Sequence, residues 1–308
     1  MKVLITGATG LVGTHLSKMC QEQGIAVNYL TTSKSRIKTE ENYKGFYWDP
    51  SQNEIDDRCF DGVETIIHLA GASIAQRWTD ENKRIIKESR IQSAALIRSA
   101  LSRKRKEGKS MITHMISASA IGAYPSSLTK YYEETYPAYA EGFLGEVVQE
   151  WEHEILKYQK DGIDTAIVRT GIVLDAEKGA LPKIAQPIEL YAGSPIGSGE
   201  QWQSWIHVED MAGIYLHLIQ NKLKGIYNGV APNPVTNKKL TEVIARTIGK
   251  PLILPKVPSF ALKLLLGDMS TIVLESQKVC ADKIRESGFV FKHITIEEAI
   301  PSILKHKA

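Results

Sequence analysis

The sequence predicts an α/β fold: a doubly wound parallel sheet joined to a smaller mixed α/β C-terminal lobe. Three observations carry that prediction. Strand-like and helix-like segments alternate through the first 170 residues, the pattern of a parallel sheet covered on both faces. A glycine-rich turn, Gly7-Ala8-Thr9-Gly10-Leu11-Val12-Gly13, lies between the first strand and the first helix. After Gly171 the texture changes, and loops and shorter helices replace the strict alternation.

Taken in order, residues 1–6 read as a short buried strand, and Leu11, Val12, Leu16, Met19 and Cys20 recur at helical spacing behind it. Residues 26–31 form the second strand, and 65–71 a near-continuous apolar strand ending in small residues. Thr79 is the N-cap of a long helix with an acidic first turn, running to about residue 106. A strand over 112–117, a helix over 143–160 and a strand over 164–169 follow. Beyond them, 193–199 is a loop, 210–220 a helix, Asn228-Gly229 a turn, and 236–248 a helix closed by Gly249. The tail is helical, with residues 262–266 as its apolar centre. The expected domains are 1–170, which binds a dinucleotide, and 171–308, a substrate lobe. The second includes a helical module at about 250–305, and the chain returns to the first domain around 205–230.

Composition bounds the function. With 43% hydrophobic and 24% charged residues the chain is an ordinary globular one, and a net charge of +3 does not point to nucleic acid. The basic run Arg103-Lys104-Arg105-Lys106 suits the solvated carbonyl end of a helix. Cys20, Cys59 and Cys280 are odd in number and far apart, neither a disulfide framework nor a zinc pattern. They fit a reducing, cytoplasmic setting. The histidines show no metal-ligand spacing, so no metal is indicated. No apolar run approaches the ~18 residues that span a bilayer, and residues 1–6 do not read as a secretory signal. A small-molecule substrate, no nucleic acid, no membrane, and a monomer or homodimer are expected.

The glycine turn suits a dinucleotide pyrophosphate. Gly7 permits the turn, Gly10 lets the backbone approach the phosphates, and Gly13 lets helix and strand pack closely. Thr9, Leu11 and Val12 complete the loop, and the helix start offers free N–H groups to an anion. The end of the second strand reads the adenosine ribose. Here Thr31-Thr32-Ser33-Lys34-Ser35-Arg36 holds no acid and two cations, which favours NADP(H) over NAD. Thr31, Thr32 and Arg36 are the candidate contacts.

These residues resemble the extended short-chain dehydrogenase/reductase family. The matches are Gly7-x-x-Gly10-x-x-Gly13, His68-Leu-Ala-Gly71, Ser117-Ala-Ser119 and Trp205-Ile-His-Val-Glu-Asp210. More narrowly, the chain is similar to a sugar-nucleotide epimerase-like subfamily related to cell-division and plastid-division proteins. That likeness rests on Arg77-Trp78-Thr79, Ser89-Arg90, Trp151-Glu152, the stretch from Arg169 to Leu174, Gly197-x-Gly199 and the tail from Leu266 to Phe291. The resemblance implies a Rossmann-type sheet and a C-terminal module. It also implies that Leu69, Ala70 and Gly71 line the adenine side, that Arg90 contacts NADP, and that residues 169–171 pass the nicotinamide.

Enzymes of the broader family use a serine with a Tyr-x-x-x-Lys pair, the lysine lowering the tyrosine's pKa so that it can exchange a proton. Ser119 matches the serine. Phe143 and Val147 stand where the tyrosine and lysine belong, and none of the 12 tyrosines is followed by lysine four residues later. Candidate substitutes are Tyr124 and Glu146, with Tyr131, Tyr132 and Lys130 in the same loop, although loop tyrosines ordinarily anchor loops. Gln203 and Ser204 stand where nucleotide-sugar enzymes commonly place an arginine, so a diphosphate substrate is poorly supported. Trp202 and Trp205 are better read as packing than as a stacking platform. Two functions remain: an NADP(H)-dependent epimerase- or reductase-like oxidoreductase, or a non-catalytic, cofactor-gated regulator linked to cell division by analogy. An ionisable group within proton-transfer reach of the nicotinamide favours the enzyme, and a closed apolar wall around Phe143 favours the regulator.

Overall fold

The first strand dictates a two-sided core, because Val3 and Ile5 project to one face while Leu4 projects to the other, all fully buried. The computed structural model describes residues 1–305. Residues 306–308, the end of the expected substrate lobe, lie outside the described residues. Seven parallel strands follow in chain order: β1 (Lys2–Thr6), β2 (Ala26–Thr31), β3 (Tyr43–Asp49), β4 (Thr65–His68), β5 (His114–Ala120), β6 (Asp164–Thr170) and β7 (Gly225–Gly229). Their spatial order is β7-β6-β5-β4-β1-β2-β3. Strand order reverses between β1 and β4, and in such sheets the crevice at that switch, beyond the strands' C-terminal ends, is where a ligand sits.

Each face is covered by helices. α1 (Leu11–Glu22) and α5 (Val208–Gln220) bury Leu16, Cys20, Met211, Ile214 and Leu218 against Val3, Ile5, Ile116 and Val168. α2 (Asp80–Lys106) and α3 (Phe143–Lys160) bury Ala94, Ile97, Trp151 and Ile155 against Leu4, Ile66 and Met115. A separate core joins α4 (Ala180–Glu189), α6 (Asn237–Ile248) and the final helix Ile296–Lys305. Sequence signals explain the helix ends. Thr79 caps α2 by accepting a hydrogen bond from the Asn82 N–H at 3.2 Å, Thr236 caps α6 from Lys239 at 3.2 Å, and Gly249 closes α6 at φ +74°.

Both margins of the sheet are occupied. The short strands Thr39–Glu40 and Glu54–Ile55 pair antiparallel with β3. At the other margin the Lys283 ammonium donates to the Ile226 carbonyl at 2.6 Å, and the Asn228 N–H donates to Glu134 Oε1 at 2.8 Å.

Several expected boundaries move. The strand expected to reach residue 71 stops at His68, because the Leu69 and Ala70 N–H groups turn to the Thr6 hydroxyl at 3.1 and 3.0 Å. The strand expected over 112–117 spans 114–120, and α5 starts at Val208, where His207 caps it. Asn228 and Gly229 end β7 instead of forming a turn. In the tail, α7 (Ser259–Leu266) buries Leu262 but leaves Leu264 and Leu265 88% and 81% exposed, so it packs by one face only. No helix among the described residues is long and apolar enough to cross a membrane.

The joint between β1 and α1 is a tight contact at the sheet's C-terminal edge. A Cβ on Gly13 would lie 2.1 Å from the Gly7 carbonyl oxygen, a backbone atom that cannot swing aside. Gly13→Ala is therefore expected to destabilise the protein by more than ~1 kcal/mol, as overpacking does. Urea unfolding monitored by circular dichroism measures this, and a wild-type midpoint would contradict the packing account.

Candidate functional site

Gly7 adopts φ +70°, a conformation other residues rarely take, and its turn lies directly on the backbone that leaves β4. A Cβ there would stand 3.0 Å from the Leu69 carbonyl carbon and 3.1 Å from the Ala70 nitrogen. The Gly10 N–H donates to the Gly7 carbonyl at 2.9 Å, and Gly10 is the N-cap of α1 with no side chain to close the helix start. Thr9 and Gly10 are exposed and Leu11 and Val12 half-buried, so the uncapped turn faces the crevice between β1 and β4. Backbone N–H groups and the helix dipole there suit a pyrophosphate.

The end of β2 runs into a polar turn with two exposed cations, Lys34 and Arg36. Tyr29 donates its hydroxyl to the Arg36 carbonyl at 2.7 Å and accepts the Lys38 N–H at 2.8 Å, which folds Lys34–Arg36 into a tight turn. Thr31 accepts the Ser33 N–H at 3.2 Å. Thr32, Lys34 and Arg36 are exposed, and Lys34 Nζ lies 4.8 Å from the centre of the Tyr47 ring.

Arg90 adds a cation beside Gly71. Its guanidinium rests on the Trp151 ring at 5.2 Å and donates to the Ile86 carbonyl at 2.7 Å. A side chain at position 71 would crowd it, since a Cβ there would be 3.1 Å from Arg90 Cζ. Burial lowers the Arg90 pKa to about 10. Beneath it, His68 is fully buried between the Ser93 hydroxyl at 2.8 Å and the Ser117 hydroxyl at 3.4 Å. Burial, and then the Arg90 charge, push its pKa down to about 3, so the imidazole is neutral.

At the ends of β5 and β6 the structure brings together residues that sequence reasoning scattered. Arg169 donates from Nε and Nη2 to the two carboxylate oxygens of Glu152, both at 2.9 Å, with the arginine and glutamate side chains 5% and 1% exposed. Ser119 donates its hydroxyl to Glu152 Oε1 at 2.6 Å, and Tyr139 donates to Oε2 at 2.7 Å. Burial works against the Arg169 charge, but the hydrogen bonds and charge of Glu152 outweigh it and hold its pKa above the usual value. Tyr124 stacks beneath the same guanidinium at 4.9 Å, is fully buried, and donates its hydroxyl to Asn228 Oδ1 at 2.7 Å. Burial raises its pKa to about 12.

The remaining sequence candidates lie elsewhere. Glu146 is exposed in the first turn of α3 and forms no hydrogen bond with this cluster, because α3 turns Val147 and Val148 inward instead. Tyr132 is buried, stacked on Tyr124 at 5.0 Å, while Tyr131 and Lys130 are exposed. Phe143 is half-buried, edge-on to Trp78 at 5.0 Å with Lys83 Nζ 5.7 Å from its ring centre. Trp205 donates to the Asn233 carbonyl at 2.9 Å and Trp202 to the Leu128 carbonyl at 3.0 Å, so both indoles anchor loops.

Sequence reasoning passed over Glu152 and Tyr139 as site residues. The available signal for Glu152 was its position on the apolar stripe of α3 with Val148, Trp151 and Ile155, where an acid needs a buried partner. It also missed a grouping of His207, Glu209 and His293, whose ligand atoms lie within 4.8 Å of one another. His207 Nδ1 accepts the Glu209 N–H at 3.1 Å, which leaves the proton of the neutral ring on Nε2 and no lone pair there for a metal. Burial, and then His293, lower the His207 pKa to about 4.

Comparison with known proteins adds the following. Residues 3–229 match the NAD dependent epimerase/dehydratase family, and residues 257–303 match a domain of unknown function, DUF1731. The chain is 37% identical to the "Epimerase family protein SDR39U1 homolog, chloroplastic" of Arabidopsis thaliana over 99% of this chain and 87% of that protein. It is 35% identical to an epimerase family protein of Staphylococcus aureus over 98% of both chains. Its fold is similar to the crystal structure of human epimerase family protein SDR39U1 (isoform 2) with NADPH. The TM-score is 0.85 at 26% identity, over 99% of each chain.

Two outcomes follow from the buried charges. Glu152→Gln leaves the Arg169 guanidinium without its counter-charge, and a loss of about 3–5 kcal/mol is expected on chemical denaturation; a loss below ~1 kcal/mol would contradict the pairing. His68 is neutral when folded but takes a proton when unfolded, so the unfolded state binds more protons below the ordinary pKa of 6.5. Stability is therefore expected to fall as pH drops from 6.5 towards about 3, with His207 adding to the loss down to about 4. His68→Gln should flatten part of that slope in melting temperatures taken from pH 7 to 4.

Proposed function

We propose that this chain, which belongs to the NAD dependent epimerase/dehydratase family, binds NADP(H) and acts as an oxidoreductase on a small carbonyl compound. The observation that carries the cofactor is the uncapped glycine turn seated on the Leu69–Ala70 backbone, a cradle that any Cβ at 7 or 13 would fill. Gly7, Thr9, Gly10, Leu11, Val12 and Gly13 hold the pyrophosphate. Thr31, Thr32, Lys34 and Arg36 receive the 2′-phosphate, since an acid that would select the free ribose hydroxyl is missing from this turn. Leu69, Ala70 and Gly71 border the adenine side, and Arg90, lacking a carboxylate partner among the described residues, adds a cation to the same crevice. That the human SDR39U1 crystal structure is described with NADPH supports the same cofactor.

Bound NADPH supplies a hydride, and the chain's own residues must manage the proton and the substrate. Phe143 and Val147 can do neither in the usual manner. A nucleotide sugar is disfavoured, because Gln203 and Ser204 are buried and uncharged where an arginine would grip a diphosphate, and the Ser204 hydroxyl donates to the Gln277 carbonyl at 2.8 Å. The second reading, a cofactor-gated regulator, is favoured by one observation: the Ser119 proton is committed to Glu152. Location in the cytoplasm and a monomeric or dimeric state remain expectations from composition.

The cofactor reading is tested by titrating protein fluorescence with each dinucleotide. NADPH is expected to bind at least several-fold more tightly than NADH, and Lys34→Ala with Arg36→Ala should remove most of that preference. Equal affinities in the wild type would defeat the assignment. Mass spectrometry of any co-purifying small molecule tests cofactor and substrate class together.

A further inference from the structure

We propose that Tyr139 is the catalytic proton donor, so that the hydroxyl absent at position 143 is supplied four residues earlier, from the loop before α3. The inference rests on the NADP(H) reading above and adds the group that protonates the carbonyl oxygen. Three phenols or hydroxyls meet the Glu152–Arg169 pair. Ser119 is 3% exposed and Tyr124 fully buried, which leaves Tyr139, half-buried, as the most accessible of the three. Its ring lies 5.6 Å from the Arg169 guanidinium and its hydroxyl 2.7 Å from Glu152.

The segment that carries it is stiff. The Ala140 N–H donates to the Ala123 carbonyl at 2.8 Å. The Ala140 carbonyl oxygen also lies so close to Gly145 that a Cβ there would be only 1.8 Å away. Glu152 can release the phenol without being left bare, because Arg169 and Ser119 occupy three of its four acceptor positions.

The phenol's part in carbonyl reduction is that of an acid. Burial, and then the Glu152 charge, raise the Tyr139 pKa to about 12, so the phenol is an acid and not a base near neutrality. The usual lysine would lower that pKa; Arg169 lowers it too, but burial and the Glu152 charge outweigh it. The carbonyl carbon accepts the hydride and is reduced as NADPH becomes NADP+; the C=O π pair moves to oxygen; and the Tyr139 O–H bond breaks to protonate it. Water then returns a proton to the phenolate, which the neighbouring carboxylate disfavours. Alcohol oxidation, and epimerisation that begins with it, would need Tyr139 ionised beforehand.

The test uses the full chain with NADPH and three probes: 9,10-phenanthrenequinone, 2,3-butanedione and 4-nitrobenzaldehyde. NADPH consumption at 340 nm reports turnover, and fluorescence titration reports NADPH affinity separately. Tyr139→Phe is expected to lower kcat about 100-fold or more with NADPH affinity unchanged. Tyr139→3,5-difluorotyrosine keeps the hydroxyl and lowers its pKa, so the alkaline fall in kcat should move to lower pH, which a structural role would not produce. In that variant the 19F resonance should also shift when NADP+ is added. The proposal is overturned if NADPH binds but the resonance does not move, if Tyr139→Phe keeps the wild-type rate, or if the wild type reduces none of the probes. Absence of NADPH binding by the wild type would instead defeat the cofactor reading itself.

Discussion

The ion pair between Glu152 and Arg169 is the constraint on which the C-terminal edge of the sheet depends. A buried guanidinium and a buried carboxylate are each costly to remove from water, and geometry this close, with every carboxylate lone pair engaged, is what offsets that cost. The pair fastens α3 to β5 and β6 and fixes the Ser119 and Tyr139 hydroxyls relative to each other. It also sets the electrostatics. Arg169 does lower the pKa of the neighbouring Tyr139, but burial and the Glu152 charge outweigh it, so the phenol stays protonated near neutrality.

The opposite end of the crevice is governed by space. Thr6 gathers the Leu69 and Ala70 N–H groups, the chain leaving β4 is drawn beneath Gly7, and Gly13 brings α1 onto β1. The contacts at Gly7 and Gly13 are backbone against backbone. The glycines add no side chain to this turn and no side-chain cap closes the helix start, features that suit a pyrophosphate. Arg90 and His68 form a second layer, a cation above a neutral imidazole, both shaped by burial.

Much of the fold was legible in the sequence. The alternation of apolar strands and helices, Thr79 with its acidic first turn, and Gly249 after residue 248 each encode a local event, and local events are what spacing reports. The glycine turn was legible for the same reason. The Glu152–Arg169 cluster was not, because Tyr139, Arg169 and Ser119 lie 13 to 33 residues from Glu152 in the chain and meet it only when α3 packs on β5 and β6. Glu146 looked suitable by proximity to the position of the missing lysine, yet one residue along a helix is a turn of about 100°, and that carried it to solvent. Tyr139 offered no periodic signal at all, since it precedes the helix. The tail misled in the other direction: a run of leucines suggested a buried centre, whereas α7 rests on one face only.

The occupied margins of the sheet bear on how copies of this chain can meet. A long parallel sheet with bare edges is a template on which a second molecule can add a strand, and repeated addition gives fibres. Here one flank is taken by two short antiparallel strands carrying Glu40 and Glu54, and the other by the Lys283 ammonium and the Glu134 carboxylate. At the first flank the main chain is engaged by those short strands, and at the other the Ile226 carbonyl and the Asn228 N–H are engaged by side chains. Open-ended strand addition is thereby hindered at both flanks.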